Sequence, residues 1–214
     1  MMGSHSVLIA TPCYGGMLTV GLLRSLVGIL DLCARDGIDC NLLTVEGEAA
    51  ITRGRSNLAA TFLGTDYQTM AFLDADILIE PEDFLKLLRL DRPVRGAAVC
   101  LKTKDHSESL NVYSFGKRVK RDKMPAEPFA VDYIGAAVML IEREVIEKLS
   151  EIESLKYVDP INGPGTHIFA EQIVDKALLS EDFSFCHRAR EYGFSVWCDP
   201  SIKVSHFGPS SWRH

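Results

Sequence analysis

The chain has 214 residues, 47% of them hydrophobic and 24% charged, which is ordinary for a globular chain and sized for one α/β domain with a modest elaboration. Its net charge of −6 argues against a broad nucleic-acid surface, although residues 117–123 are locally basic and read as a solvated loop. No run approaches the roughly 20 apolar residues of a membrane-spanning helix, and 7–10 is too short for a signal peptide, so the expected location is cytoplasmic. The six cysteines include no C-x-x-C pair and no zinc-finger spacing; buried free thiols are expected.

In chain order, residues 7–11 form a short apolar run closed by Pro12 and read as a buried strand. Apolar residues at helical spacing over 18–35 predict a helix that stops at Gly37. A second strand is expected over 41–45, ending at Glu46, followed by a helix capped by Thr52 and running to Phe62. Residues 70–73 are a third strand, and Asp74-Ala75-Asp76 stands where it ends. Pro81-Glu82-Asp83 opens a helix, with proline in the first turn and acids near the positive end of the dipole. Residues 94–101 read as a fourth strand, and this alternation predicts a parallel sheet with right-handed crossovers.

The second half is less regular. Residues 102–130 are polar, with a long loop or a small hairpin expected around 112–115. Residues 133–141 are strongly apolar and predict one more sheet strand, and 144–149 a helix. Turn residues crowd 159–165. Ser180 is expected to cap a helix running to Tyr192, and short extended segments follow at 195–198 and 202–205. A single domain is expected, with residues 1–101 as its nucleotide-binding half and 102–214 as its acceptor and catalytic half.

Two carboxylates at the end of an apolar strand are the strongest chemical signal. In an open α/β sheet, ligands bind beyond the carboxyl ends of the strands. Asp74 and Asp76 are two apart, so in extended backbone both point the same way and repel each other unless a cation joins them. Hard oxygen ligands suit Mg²⁺ or Mn²⁺, which can bridge to a diphosphate.

Here the sequence resembles the GT-A glycosyltransferases, above all family 2 and its relatives among viral and bacterial enzymes. The resemblance rests on the strand ending in Thr11-Pro12, the helix with Arg53 and Asn57, and Phe72-Leu73-Asp74-Ala75-Asp76. It continues through residues 133–141, Ser180-Glu181-Asp182-Phe183, and Trp197-Cys198-Asp199-Pro200 leading to His206, all in the family's order. It implies a Rossmann-like three-layer α/β/α sandwich with a mixed, mostly parallel sheet. It also implies a metal-dependent enzyme that moves a sugar from a UDP- or GDP-sugar to an acceptor hydroxyl.

Carried over residue by residue, the resemblance makes Asp76 the better metal ligand, with Asp74 nearer the donor ribose or sharing the ion. His206 becomes a third ligand, suiting Mn²⁺ better than Mg²⁺. Asp182 becomes the base that takes the acceptor's proton in an inverting reaction, with Glu181 second. Thr11, Pro12, Tyr14 and Glu46 fall where the donor's base or ribose would sit. Arg53 is a diphosphate or base contact, Asn57 touches substrate or pins the aspartate loop, and Arg55 reads as an exposed helix charge. Gly135 either lets a sugar near the backbone or serves tight packing. Residues 159–170 and Trp212 are candidates for a cover over the cleft. The acceptor is a glycan, a lipid-linked sugar, a protein or a modified DNA base. Two rival readings remain: a sugar-phosphate nucleotidyltransferase, though 11–16 lacks a basic phosphate loop, and a non-catalytic binding module of the same fold.

Overall fold

The computed structural model describes residues 6–102 and 109–208. In order come β1 (Ser6–Cys13), α1 (Val20–Arg35), β2 (Asp39–Glu46), α2 (Ile51–Leu63), β3 (Thr69–Leu73), β4 (Ile77–Ile79), α3 (Pro81–Leu88) and β5 (Val94–Ala97). The second half holds β6 (Ser109–Ser114), β7 (Lys117–Lys120), β8 (Phe129–Val131), β9 (Tyr133–Ile134), β10 (Val138–Glu142) and α4 (Arg143–Ser150). It closes with β11 (Lys156–Asp159), β12 (Gly163–Thr166), β13 (Gln172–Val174), β14 (Ala177–Leu179), α5 (Glu181–Glu191), β15 (Val196–Asp199) and β16 (Val204–His206).

The central sheet has seven strands in the order β2-β1-β3-β10-β5-β15-β8. β10 and β8 run against the other five, so the sheet is mixed and mostly parallel. The apolar runs explain the interior strands: 7–10 in β1 and 69–73 in β3 are buried along their length, which only strands covered on both faces require. Side chains then alternate between two cores. Leu8, Ala10, Met70, Phe72, Met139 and Ile141 face Leu58, Phe62, Val145 and Phe185 of α2, α4 and α5. Val7, Ile9, Ala71, Leu73, Val138 and Leu140 face Leu22, Leu26, Phe84 and Leu88 of α1 and α3. Helices on both faces make three layers, and each large side chain buried this way contributes about 2 kcal/mol. Because β10 inserts between β3 and β5, the two halves of the chain share one sheet.

Several expectations are corrected in detail. The 133–141 run is two strands, not one: β9 joins β6 and β7, β10 enters the central sheet, and a turn at 135–137 separates them. Gly135 sits there because a Cβ would meet Asn111 Nδ2 at 2.3 Å. The α2 N-cap is Ala50 rather than Thr52, and its amide is held by Glu48 Oε1 at 2.9 Å. Ser180 is the N-cap residue of α5, but its hydroxyl donates to Asp182 instead of capping the backbone. The hairpin near 112–115 is present as β6 and β7, and the 159–165 turn joins β11 to β12. All six cysteines are free thiols. Among the described residues no helix is long and apolar enough to cross a membrane.

Candidate functional site

A cleft of about 510 Å³ opens beyond the ends of β1 and β3, lined by Pro12, Tyr14, Met17, Leu18, Thr19, Ile51, Arg55, Asp74, Ala75, Asp76 and Glu181. Its floor is the turn between β3 and β4. Thr19 caps α1 by accepting from Leu22 N at 3.2 Å, and its own amide donates to Ala75 O at 2.8 Å. Asp74 N donates to Ala137 O at 3.0 Å, and Phe207 N to Asp76 O at 2.7 Å. The aspartate turn is thus fixed by α1, the 135–137 turn and the segment after β16. Gly21 lets the last approach closely, since a Cβ there would meet the Phe207 ring at 2.4 Å.

The two aspartates diverge. Asp74 Oδ1 accepts from Arg55 Nη2 at 2.8 Å. Arg55 is 3% exposed, packs over Phe72 with its guanidinium carbon 5.0 Å from the ring centroid, and pairs with Glu181 through Nε at 3.5 Å. That Nε makes no hydrogen bond among the described residues. Burial alone would push the Arg55 guanidinium down, but Asp74, Glu181 and Asp182 outweigh it and hold it above its ordinary value. The reading of Arg55 as an exposed charge is therefore corrected. On α2 it lies one, one and two turns before Leu58, Ala59 and Phe62, on the buried face, a spacing that was present in the sequence.

Asp76 turns the other way, towards Lys102 and His206. Its Oδ2 meets the Lys102 ammonium, and its Oδ1 lies 3.3 Å from His206 Nε2. His206 Nδ1 is 2.9 Å from Cys100 O, a carbonyl that can only accept, so Nδ1 carries a proton and the neutral ring would turn the Nε2 lone pair on a carboxylate. Two facing acceptors need a cation between them. The hydrogen bond to Asp76 raises the His206 pKa above its ordinary value, against burial. Burial would push Asp76 up, but His206 and Lys102 bring its carboxyl down to about 2.

The same donor set fits a divalent ion. One carboxylate and one imidazole with its second nitrogen anchored leave positions for diphosphate oxygens and water. Among the described residues no group of three or more His, Cys, Asp or Glu could hold a metal, and Asp74 is engaged by Arg55.

The acidic pair opens α5. Glu181 lines the cleft, and burial followed by repulsion from Asp182 raises its pKa, with Arg55 opposing. Asp182 accepts from Phe183 N at 2.8 Å, from Ser180 Oγ and from Ala136 N at 3.3 Å, which ties the helix start to the 135–137 turn.

Other expected residues lie elsewhere. Arg53 is exposed and forked onto Glu48 at 2.5 and 2.9 Å. Asn57 accepts from the Tyr157 hydroxyl at 2.5 Å, pinning the β11–β12 hairpin rather than the aspartate turn. Glu46 is exposed at the end of β2, outside the lining set. Thr11 is buried, with a hydroxyl that has no hydrogen-bond partner among the described residues. Gly135 packs under Asn111. Trp212 lies outside the described residues. Lys102 had no signal in the sequence; only the folded chain brings it to Asp76.

No family model matches the chain, and no curated protein matches it. Solved structures do. The crystal structure of A197 from STIV aligns with a TM-score of 0.57 at 20% identity, over 95% of this chain and 86% of that one. Drosophila β1,4-galactosyltransferase 7, solved with manganese, UDP-Gal and xylobiose, aligns with a TM-score of 0.52 at 15% identity, over 96% of this chain and 71% of that one. Its catalytic domain with xylobiose gives the same TM-score of 0.52 at 14% identity. The chain has a GT-A-like glycosyltransferase fold.

Proposed function

We propose that the chain transfers a sugar from a UDP- or GDP-sugar to an acceptor hydroxyl, with Mn²⁺ or Mg²⁺ held by Asp76 and His206. One observation carries this reading: at the carboxyl ends of the parallel strands, the Asp76 carboxylate and His206 Nε2 face each other at 3.3 Å, next to Asp74 on a buried arginine. Such a pair suits a cation shared with a diphosphate. The ion, when bound, supplies Lewis-acid stabilisation of the charge on the departing nucleoside diphosphate.

The chain's own side chains do the rest. Arg55 holds Asp74 for the donor ribose and keeps a cation under the cleft floor. Lys102, released from Asp76, offers an ammonium to the diphosphate. Glu181 takes the proton of the acceptor hydroxyl as that oxygen bonds the anomeric carbon and the bond to the β-phosphate oxygen breaks. Its cleft-lining position and raised pKa favour it over Asp182, whose oxygens are taken up by local donors. Attack opposite the leaving group inverts the anomeric centre. Family resemblance assigns the base to Asp182 instead, and comparing Glu181→Gln with Asp182→Asn decides between them.

The test is release of free sugar from UDP- and GDP-sugars with Mn²⁺, in the wild type and in Asp76→Ala. Turnover in the first and a loss of about a thousandfold in the second is expected. Equal behaviour with every donor removes the enzyme reading, and pyrophosphate release from a nucleoside triphosphate plus sugar phosphate would replace it with nucleotidyl transfer.

A further inference from the structure

The chain carries a net charge of −6, yet residues 117–123 hold five basic side chains and one acid. They form β7 and the 3-10 turn Arg121–Lys123, on the outer side of the small sheet β7-β6-β9. Lys117, Arg118, Lys120, Arg121 and Lys123 are all exposed. Several surface cations elsewhere have acidic partners, as in Arg35–Asp31, Arg53–Glu48, Arg89–Asp36, Lys148–Glu151 and Lys156–Glu153. Among the described residues none of these five does; Arg118 binds the Tyr113 hydroxyl at 2.9 Å and Arg121 the Cys100 sulfur at 2.7 Å.

Charge on an edge strand guards against edge-to-edge pairing, but that role does not account for Phe115. Phe115 sits in the turn between β6 and β7, 95% exposed and at φ +50°, a conformation uncommon for a bulky residue. The neighbouring rings are engaged with one another. Tyr133 stacks on Phe183 at 5.3 Å, Tyr113 meets Phe183 edge-on at 5.2 Å, and Arg118 and Arg190 lie over Tyr113 and Tyr133. A single exposed ring on a turn, backed by cations with no acidic partner among the described residues, does not suit a nucleic-acid strand, which needs successive rings along a groove. It suits an anionic bilayer, where an aromatic tip enters the interface and cations meet headgroups. The patch also adjoins the cleft: Arg121 touches Cys100, whose carbonyl anchors His206.

We propose that the β6–β7 hairpin docks the protein on an anionic lipid surface, with Phe115 at the headgroup–acyl boundary and Lys117, Lys120 and Lys123 on the headgroups. Resting on the glycosyl-transfer reading, this makes the acceptor lipid-borne.

The test is co-sedimentation with phosphatidylcholine vesicles, with and without phosphatidylglycerol, at physiological ionic strength. The wild type partitions onto the anionic vesicles only. Removing the lysines in Lys117→Ser/Lys120→Ser/Lys123→Ser weakens partitioning about fivefold each, about a hundredfold together. Phe115→Ser weakens it about tenfold. Both variants keep the wild-type melting temperature and the thermal shift given by UDP or GDP with Mn²⁺. Equal partitioning on neutral and anionic vesicles, or unchanged partitioning of the triple variant, overturns the proposal. So does a triple variant that loses single-stranded DNA binding while vesicle binding stays as it was. Absence of any nucleotide shift, with vesicle partitioning as expected, removes the glycosyl-transfer reading and leaves the docking surface.

Discussion

The two ends of β3 are each closed by a buried arginine, and the two guanidinium groups have different partners. Where the strand begins, Arg95 is 1% exposed and donates to Leu87 O, Leu88 O and Arg92 O at 2.7–2.9 Å and to Glu142 Oε1 at 2.6 Å. Glu142 in turn accepts from the Thr69 hydroxyl at 3.1 Å. Three of these acceptors are neutral carbonyls, and burial pushes this guanidinium below its ordinary value, with Glu142 opposing. Where the strand ends, Arg55 faces Asp74 and Glu181, and its Nε has no hydrogen bond among the described residues. A fully satisfied buried cation closes a helix end and a strand start. One surrounded by carboxylates at a cleft organises groups that face a ligand. Burial of an arginine says little; the kind of acceptor around it says what it is for.

Five substitutions at four positions, and one titration, would sharpen or break that contrast. Asp76→Ala at the cleft end should cost about a thousandfold in donor-sugar turnover, measured by product release, with little change in melting temperature. Arg95→Met at the other end should cost about 3 kcal/mol of stability in urea titration, leaving turnover per folded molecule unchanged. Arg55→Met should lower turnover about a hundredfold while destabilising less than Arg95→Met, and Arg55→Lys should recover stability but not rate, because an ammonium cannot fork between two carboxylates. If Arg55→Met and Arg95→Met behave alike, the two ends are not functionally distinct.

The titration concerns His206. Its raised pKa means that a proton occupies Nε2 up to a higher pH than usual, so Mn²⁺ affinity should fall by up to about tenfold per unit as pH drops through that value. Without metal the sign is reversed. The charged pair stabilises the fold above the ordinary Asp range, is lost as pH falls towards the Asp76 value of about 2, and is lost again as pH rises through the raised His206 value. Thermal melts across pH, with and without Mn²⁺, separate the two. The smallest effect is expected of Lys102→Met, which removes a competitor for Asp76 and should tighten Mn²⁺ about fivefold in calorimetry.

Much of this architecture was legible because it rests on local pattern. The apolar runs at 7–11 and 70–73 read as strands, the Pro81 start of α3 was written in Pro81-Glu82-Asp83, and the aspartates were expected where a strand ends. Direction and long-range pairing were less legible. Residues 133–141 read as one apolar strand because nothing local reports that Asn111, more than twenty residues earlier, occupies the space over Gly135. The site divides the same way. Asp74, Asp76 and Glu181 line one cleft and His206 meets Asp76, but the divergence of the two aspartates around Arg55 and Lys102 depends on contacts 19 and 26 residues apart in sequence. Arg55 could have been found from its helical spacing; Lys102 could not.

The most direct measurement is calorimetric binding of UDP and GDP, with and without Mn²⁺, to the wild type, Asp76→Ala and Arg95→Met. The expected result is one nucleotide bound with Mn²⁺ dependence, retained in folded Arg95→Met and lost in Asp76→Ala. Binding that ignores both Mn²⁺ and Asp76, or no nucleotide binding at all, would contradict a cation and diphosphate site at the end of β3.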